Sequence, residues 1–422
     1  MKRTELPAEG LAPDKVVHAM GKIRADDAPW YGPRRFIGGS YYGGEEVQQV
    51  ADRASQDYQH YNALYAGKVF PSLVRYEREV VDILLSLLQA PQTASGCVTS
   101  GGTESLLLAV KTARDWAAAE RRGAQSPEET PEIVVPYAAH PGFDKAAHLL
   151  GMRSIRVPEG PGYRADVGAI AQAITSNTVM LAASAPSYPY GVTDPIDELA
   201  ELARTQQLWL HVDACHGGFV LPFARKLGHA VPAFDFAIPG VTSISVDVHK
   251  LGYANKGVSA LLLRDHELSE FQHYGFTNWP AGAYRTAAVS GSRSAGGLAS
   301  AWAVMQFLGE AGYCEIVENI IATREKLVTG IGRIADLQVR GKPDAYLVAF
   351  GSDDYDSHAV ADGMEDRDWV FNRLRNPPSL HLFLDRSHSD SVDVFLADLH
   401  QVMEEVRSGR RQARAVDAVY AV

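Results

Sequence analysis

The sequence predicts an α/β protein built on a mostly parallel sheet in a large domain, followed by a smaller α+β domain. Three observations carry this. Across the middle of the chain, short apolar or β-branched runs that read as buried strands alternate with amphipathic helical stretches, the pattern of a sheet covered by helices on both faces. A turn-rich strand-to-helix passage, SGCVTSGGTES (95–105), opens that region. After Gly291, long helical text leads into a second group of strands and a terminal helix. A chain of 422 residues, at roughly 150 per domain, also has room for more than one domain.

In chain order, residues 1–60 are rich in Gly, Pro, Tyr and charge, with FIGGSYYGGEE at the centre, and read as an N-terminal arm or lid. VRYEREVVDILLSLLQA (74–90) spaces its apolar residues as a helix does, and ESLLLAVKTARDWAAAERR (104–122) is a second helix. Four segments read as buried strands: IVVPYAAH (133–140), TVMLAAS (178–184), LWLHVDAC (208–215) and SISVDVH (243–249). DVGAIAQAIT and DPIDELAELARTQQ are helical stretches between them. These fill a large domain over residues 61–300. In the smaller domain, 301–422, AYLVAFGSDD and SLHLFLD read as strands and SVDVFLADLHQVMEEVRSG as the terminal helix. The final RRQARAVDAVYAV carries weak signals and is expected to be poorly anchored.

Composition narrows the function. Hydrophobic residues at 46% and charged residues at 22% are the proportions of a soluble globular protein. A net charge of −11 argues against a nucleic-acid binder, which needs a basic stripe for phosphates. Cys97, Cys215 and Cys314 are widely spaced and odd in number, so neither a disulfide framework nor a metal site is expected. No apolar run reaches the roughly 18 residues of a membrane span, and MKRTELPAEGLAPDK lacks the apolar core of a signal peptide. A cytoplasmic chain without an integral membrane segment is expected.

Open parallel sheets bind ligands at the carboxyl ends of their strands. His140, Ser184, Asp213 and Lys250 fall at or just beyond such ends, and TSGGTES opens a helix whose free N–H groups favour a phosphate. Together these are the parts of a pyridoxal phosphate site. Lys250 would form the Schiff base, and Asp213 would keep the pyridine nitrogen protonated so that the ring acts as an electron sink. His140 would stack on the ring, Gly102 and Thr103 would hold the phosphate, and Ser184 would reach the phenolic oxygen or the lysine linkage. Singly, each has an ordinary reading: a solvated lysine after a strand, a structural histidine, a simple turn. An aspartate in an apolar strand is harder to explain away, because an unpaired buried carboxylate is costly. Their fall at successive strand ends of one sheet makes the joint reading specific.

TSGGTES, HPGFDKAAHLLGM, SAPSYPYGVTDPI, HVDACHGGF and SVDVHKLGYANKG, in that order, resemble the group II decarboxylase superfamily of fold-type I pyridoxal phosphate enzymes. GVTSISVDVHKLGYANKGVSALLLRD and GFTNWPAGAYRTAAVSGSRSAG look more like its sphingosine-1-phosphate lyases than like its amino-acid decarboxylases. The resemblance runs from about Phe36 to about Gly409. It implies a large domain with a seven-stranded type of sheet and a Schiff-base lysine at Lys250, with His249 beside it near the cofactor phosphate. It also implies that Lys256 contributes to catalysis and to binding substrate phosphate, that Ser292 is a phosphate contact, and that Tyr41 and Asn62 are active-site residues. A homodimer with shared active sites follows by analogy. The implied reaction is retro-aldol cleavage of a phosphorylated 2-amino-3-hydroxyalkane to an aldehyde and phosphoethanolamine, with Lys250, Lys256 and Tyr41 as candidates for proton transfer.

The chain departs from that family in places. Where the family usually has Asn-Pro-Leu-His, the text is Asn62-Ala63-Leu64-Tyr65, with an apparent extra residue before Val69-Phe70-Pro71. Tyr65 cannot supply a positive charge at the substrate phosphate. His216 stands where an apolar residue is common, packed against the sheet or adding a titratable group beside the cofactor. Lyase relatives continue for a few tens of residues past the end of this text, so the C-terminal side of the pocket is expected to differ or the last helix to be dispensable. These departures concern the substrate side. The main alternative is a pyridoxal phosphate-dependent amino-acid decarboxylase, which shares the cofactor site and differs in the bond set perpendicular to the ring. A scaffold that kept the fold has no use for Lys250. A nucleotide-binding α/β protein would need G-x-G-x-x-G or G-x-x-x-x-G-K-[ST], and neither is present.

Overall fold

Seven strands form the large sheet, in the order Ser95–Thr99, Ser259–Leu263, Ser243–Val246, Trp209–Asp213, Thr178–Ser184, Glu132–Pro136, Arg153–Val157. Ser259–Leu263 runs antiparallel to both of its neighbours, and the remaining pairings are parallel. The structure is a computed structural model that describes residues 3, 5–39, 41–120 and 130–414. The four strands read from sequence are present, although the first ends at Pro136, so that His140 lies beyond it, just before the helix Gly142–Leu149. The sheet is covered on both faces, as its apolar runs require. All seven residues of Thr178–Ser184 are buried. Ile133 and Val135 pack with Leu106 and Ala109 of the helix Gly102–Glu120, while Val134 between them faces the opposite core with Leu181 and Val212.

The second sheet has five strands in the order Arg35–Phe36, Val370–Arg375, Pro378–Phe383, Leu347–Gly351, Gln338–Val339. Its last four strands are antiparallel, whereas Arg35–Phe36 pairs parallel to Val370–Arg375. The N-terminal stretch is thus stitched into the C-terminal sheet. Phe36 is fully buried and stacks on His388 with ring centroids 4.3 Å apart, and the His388 ring donates through Nε2 to the Arg35 carbonyl at 3.0 Å. The helix Glu45–Tyr58 packs on the long helix Gly296–Ile331. That long helix was legible as continuous helical text, but the backbone breaks at Gly309 (φ 54°, ψ −170°), a left-handed conformation that glycine adopts without a Cβ penalty. The terminal helix spans Val392–Arg407. Residues 415–422 of the tail lie outside the described residues.

Candidate active site

The parallel strands deliver their polar residues to one edge. Ser184 and Asp213 are each the last residue of their strand and are opposite each other in register, and Asp213 in turn faces Ser245. Ser243–Val246 ends in a turn that carries Asp247, His249 and Lys250. On the other side the helix Gly102–Glu120 begins at the same edge, where N–H groups lack intrahelical acceptors. Together these line a cavity of about 360 Å³ whose walls include Gly102, Thr103, His140, Ser184, Asp213, His249 and Lys250. The chain thus brings all seven cofactor candidates of the sequence to one place. A Cβ on Gly102 would lie 2.9 Å from Asp247 Oδ2 and 3.2 Å from Cys215 Sγ, so only glycine leaves this corner open.

The electrostatics of the cavity are organised around two carboxylates. Asp213 Oδ1 accepts from the Cys215 N–H at 3.0 Å and the Ser245 hydroxyl at 3.4 Å, while Oδ2 has no hydrogen-bond partner among the described residues. A buried carboxylate with one uncommitted oxygen on a cavity wall is poised for a cationic N–H. Asp247 Oδ2 lies 2.9 Å from Lys250 Nζ, and its buried Oδ1 has no partner among the described residues. Burial alone would push the Asp247 carboxyl up, but Lys250 and His249 outweigh it and hold it below the usual carboxylate range. Burial likewise opposes the Lys250 charge, and Asp247 overcomes it, so the ammonium is strengthened. His140 is held neutral, chiefly by burial, and its Nδ1 accepts from the Gly142 N–H at 3.0 Å, which fixes the ring plane. The His249 ring is anchored by Nδ1 donating to the Val258 carbonyl at 2.6 Å.

The substrate-side candidates fall into two groups. Lys256 Nζ lies 3.3 Å from the His249 carbonyl and 4.7 Å from the centre of the Tyr41 ring, and it has no carboxylate partner among the described residues. Burial first, and then the charge of Lys250, lower its pKa to about 8. Asn62 and Ser292 meet each other instead, with Asn62 Nδ2 donating to Ser292 Oγ at 2.9 Å, and, like Lys256 and Tyr41, neither is in the wall of the cavity. Tyr65, adjacent in the same turn, is 48% exposed and is not in the cavity wall either.

Sequence reasoning missed Asp247, Glu104 and Tyr346. Asp247 stands three residues before Lys250 in DVHK, a spacing that one turn converts into contact. Glu104, in TSGGTES, accepts at Oε2 from the Ser100 N–H and hydroxyl, both at 2.6 Å, and at Oε1 from the Val289 and Ser290 N–H groups. It ties the phosphate-type turn to the segment that leads to Ser292. His216 reaches the site directly: its Nε2 is 2.9 Å from Lys250 Nζ and its Nδ1 is 2.5 Å from the Tyr346 hydroxyl. Nothing in the local text around Tyr346 marked it as a site residue.

Residues 61–352 match the family described as the pyridoxal-dependent decarboxylase conserved domain. The chain is 42% identical to a sphingosine-1-phosphate lyase of Arabidopsis thaliana over 96% of its own length and 75% of that protein's. The chain belongs to the sphingosine-1-phosphate lyase family. A solved structure of a family member, the sphingosine-1-phosphate lyase of Burkholderia pseudomallei, superimposes with a TM-score of 0.91 at 36% identity, covering 97% of this chain and 94% of that one. Glutamate decarboxylase of Lactobacillus brevis, at 19% identity and a TM-score of 0.82 over 99% of this chain and 97% of that one, shares the fold. The chain is therefore a fold-type I pyridoxal phosphate-dependent lyase. The residues present fit that cofactor: a lysine amine, a carboxylate oxygen without a partner, a fixed neutral imidazole and a glycine-walled helix start face one cavity.

Proposed function

We propose that the protein cleaves the C2–C3 bond of a phosphorylated 2-amino-3-hydroxyalkane such as sphingosine 1-phosphate, giving an aldehyde and phosphoethanolamine. The observation that carries this reading is Lys256: an ammonium without a carboxylate partner, set against the Tyr41 ring beside the Lys250 turn, suits a phosphate dianion. Pyridoxal phosphate, when bound, supplies an electron sink for the pair released by the breaking bond. Lys250 would hold the cofactor covalently through its Nζ. Asp213 Oδ2 would keep a proton on the ring nitrogen, and His140 would pack against the ring. Gly102, Thr103 and His249 seat its phosphate, and the Ser184 hydroxyl lies within the same wall. Tyr41 and Lys256 face the C3 hydroxyl and the substrate phosphate. Asn62, Ser292 and Tyr65 would serve the substrate from outside the wall of this chain's own cavity, as Tyr41 and Lys256 would, which fits a site completed by a second copy.

A homodimer accords with a further feature. The helix Pro13–Ile23 has no buried residue, and Val16, Val17, Met20 and Ile23 are all exposed, an apolar surface of the kind that a second copy covers. The reading divides the chain into an N-terminal arm (1–60), a cofactor-binding domain (61–300) and a smaller C-terminal domain (301–422). It places the protein in the cytoplasm, where the free thiols of Cys97, Cys215 and Cys314 are stable. No helix among the described residues is long and apolar enough to cross a membrane.

The test is the visible absorbance of the wild type beside Lys250→Ala, with aldehyde, phosphoethanolamine and carbon dioxide assayed. The expected result is a band absent from the variant, and both organic products from sphingosine 1-phosphate. A band with carbon dioxide released from amino acids and no aldehyde would replace the lyase reading by the decarboxylase one.

A further inference from the structure

Three groups form a hydrogen-bonded line through the site, and a fourth packs against its end. Lys250 Nζ is 2.9 Å from His216 Nε2, and His216 Nδ1 is 2.5 Å from the Tyr346 hydroxyl. Tyr41 packs against Tyr346, the two rings edge-on with centroids 6.3 Å apart. The four groups come from three parts of the chain: a turn after the large sheet, the residue before the strand Leu347–Gly351 of the small sheet, and the N-terminal segment. An ammonium has donors only, so Nε2 accepts from Lys250 and Nδ1–H donates to Tyr346, which leaves the Tyr346 proton for a further acceptor.

We infer that His216 and Tyr346 are a proton relay between the Lys250 amine and the Tyr41 hydroxyl. The inference rests on the cleavage reaction proposed above and names the residues that move its proton. Once the substrate amine has displaced Lys250, its Nζ is a neutral amine, and His216 in its other tautomer donates to it. The C3 O–H bond then breaks as Tyr41 takes that proton, and the electron pair stays on the C3 oxygen. Tyr41 passes its own proton to Tyr346, Tyr346 passes its proton to Nδ1, and Nε2 gives its proton to Nζ. Lys250 ends as the ammonium, and His216, Tyr346 and Tyr41 end neutral. The proton then lies on Lys250.

The surroundings keep the relay neutral. Burial first, then the charge of Lys250 and the nearby rings of His140, His381 and His249, hold His216 well below its ordinary range, and only a neutral imidazole accepts and donates at once. Burial and Tyr41 push the Tyr346 phenol up, so it does not leave the line as a phenolate. On the lysine side the facing anions are Asp247 and Asp213.

The test compares the loaded wild type with Tyr346→Phe and His216→Leu. Removing the Tyr346 hydroxyl is expected to lower kcat by about 100-fold with KM within about threefold, and to alter the solvent deuterium effect on kcat. His216→Leu removes the acceptor of the Nζ–H and is expected to lower the pH midpoint of the resting visible band, a readout that needs no turnover. Unchanged kcat in Tyr346→Phe, or an unchanged midpoint in His216→Leu, overturns the relay. If His216→Leu loses the cofactor band, Tyr346→Phe alone decides. A wild type that cleaves no phosphorylated amino alcohol sinks the functional reading, and the midpoint then decides the relay by itself.

Discussion

Asp247→Asn isolates the pair that holds the unloaded site together. The substitution keeps the shape and removes the charge. Asp247 and Lys250 lie 2.9 Å apart with side chains 4% and 17% exposed. At an effective dielectric of about 20, their attraction at that distance is about 6 kcal/mol, part of which is offset by the cost of burying both charges. Removing one partner of such a pair costs about 3–5 kcal/mol, because the other charge is left buried. With an unfolding entropy near 2.1 cal/mol/K per residue, a chain of 422 residues converts that into a drop of about 3–6 °C in Tm. The cofactor-stripped protein shows the full drop. In the loaded enzyme Lys250 Nζ is committed to the cofactor, so the drop is half or less. The deficit also has a pH signature. Asp247 is held below the usual range when folded, so its contribution is present above an ordinary carboxyl pKa of about 4 and fades as pH falls below that value. Scanning calorimetry on stripped and loaded protein, at one protein concentration, measures all of this. Equal drops in both forms, or less than about 1 °C in the stripped form, would refute the assignment of Asp247 as the counter-ion of Lys250.

Three further predictions follow from particular contacts. Lys256 loses its proton near pH 8, so kcat/KM for a phosphorylated substrate falls as pH rises through about 8; Lys256→Arg stays charged, and its pH profile should lack that limb. Asp213→Asn removes the negative charge facing the cavity, so turnover should drop by about 10²–10³-fold while the visible band persists; full activity would remove Asp213 from the ring nitrogen. Gly191 has φ 66°, and a Cβ there would press into the Leu347 carbonyl oxygen at the boundary between the two sheets. Gly191→Ala should therefore lose about 1–3 kcal/mol of stability in denaturant unfolding, with the cofactor absorbance unchanged in the folded protein.

The cofactor side was legible because it follows from strand ends. A polar residue that closes a fully apolar strand must face the carboxyl edge of the sheet, and Ser184 and Asp213 do so within one residue of the expected position. The same rule found the Lys250 turn and the start of the Gly102–Glu120 helix. Two strands of the large sheet escaped it. Arg153–Val157 is an edge strand whose RSIRV is mostly half-exposed, and SALLL is too short to be told from loop or helix by periodicity. The residues that tune the site were hidden for a different reason. Tyr346 stands 130 positions from His216, and its hydroxyl crosses from the other sheet, a contact that no local pattern encodes. The separation of Asn62 and Ser292 from the cavity likewise depends on where the chain leaves them in three dimensions.

The parallel pairing of Arg35–Phe36 with Val370–Arg375 has a consequence for synthesis. The carbonyl of Arg35 waits for a partner 353 residues further on, and Phe36 waits for the rings of Trp369, His388 and Phe395. At about 5–20 residues per second, a ribosome needs on the order of 20–70 s to supply them. Throughout that interval the nascent chain displays a strand without its neighbour and a phenylalanine without its pocket, and in its last part, after Ser259–Leu263 is made, all seven strands of the large sheet are already available. Pairing of Arg35–Phe36 with Val370–Arg375 should therefore come late in folding, and with it the placement of Tyr41. Activity should appear only after the segment through Phe395 has been made, later than the protection of the large sheet.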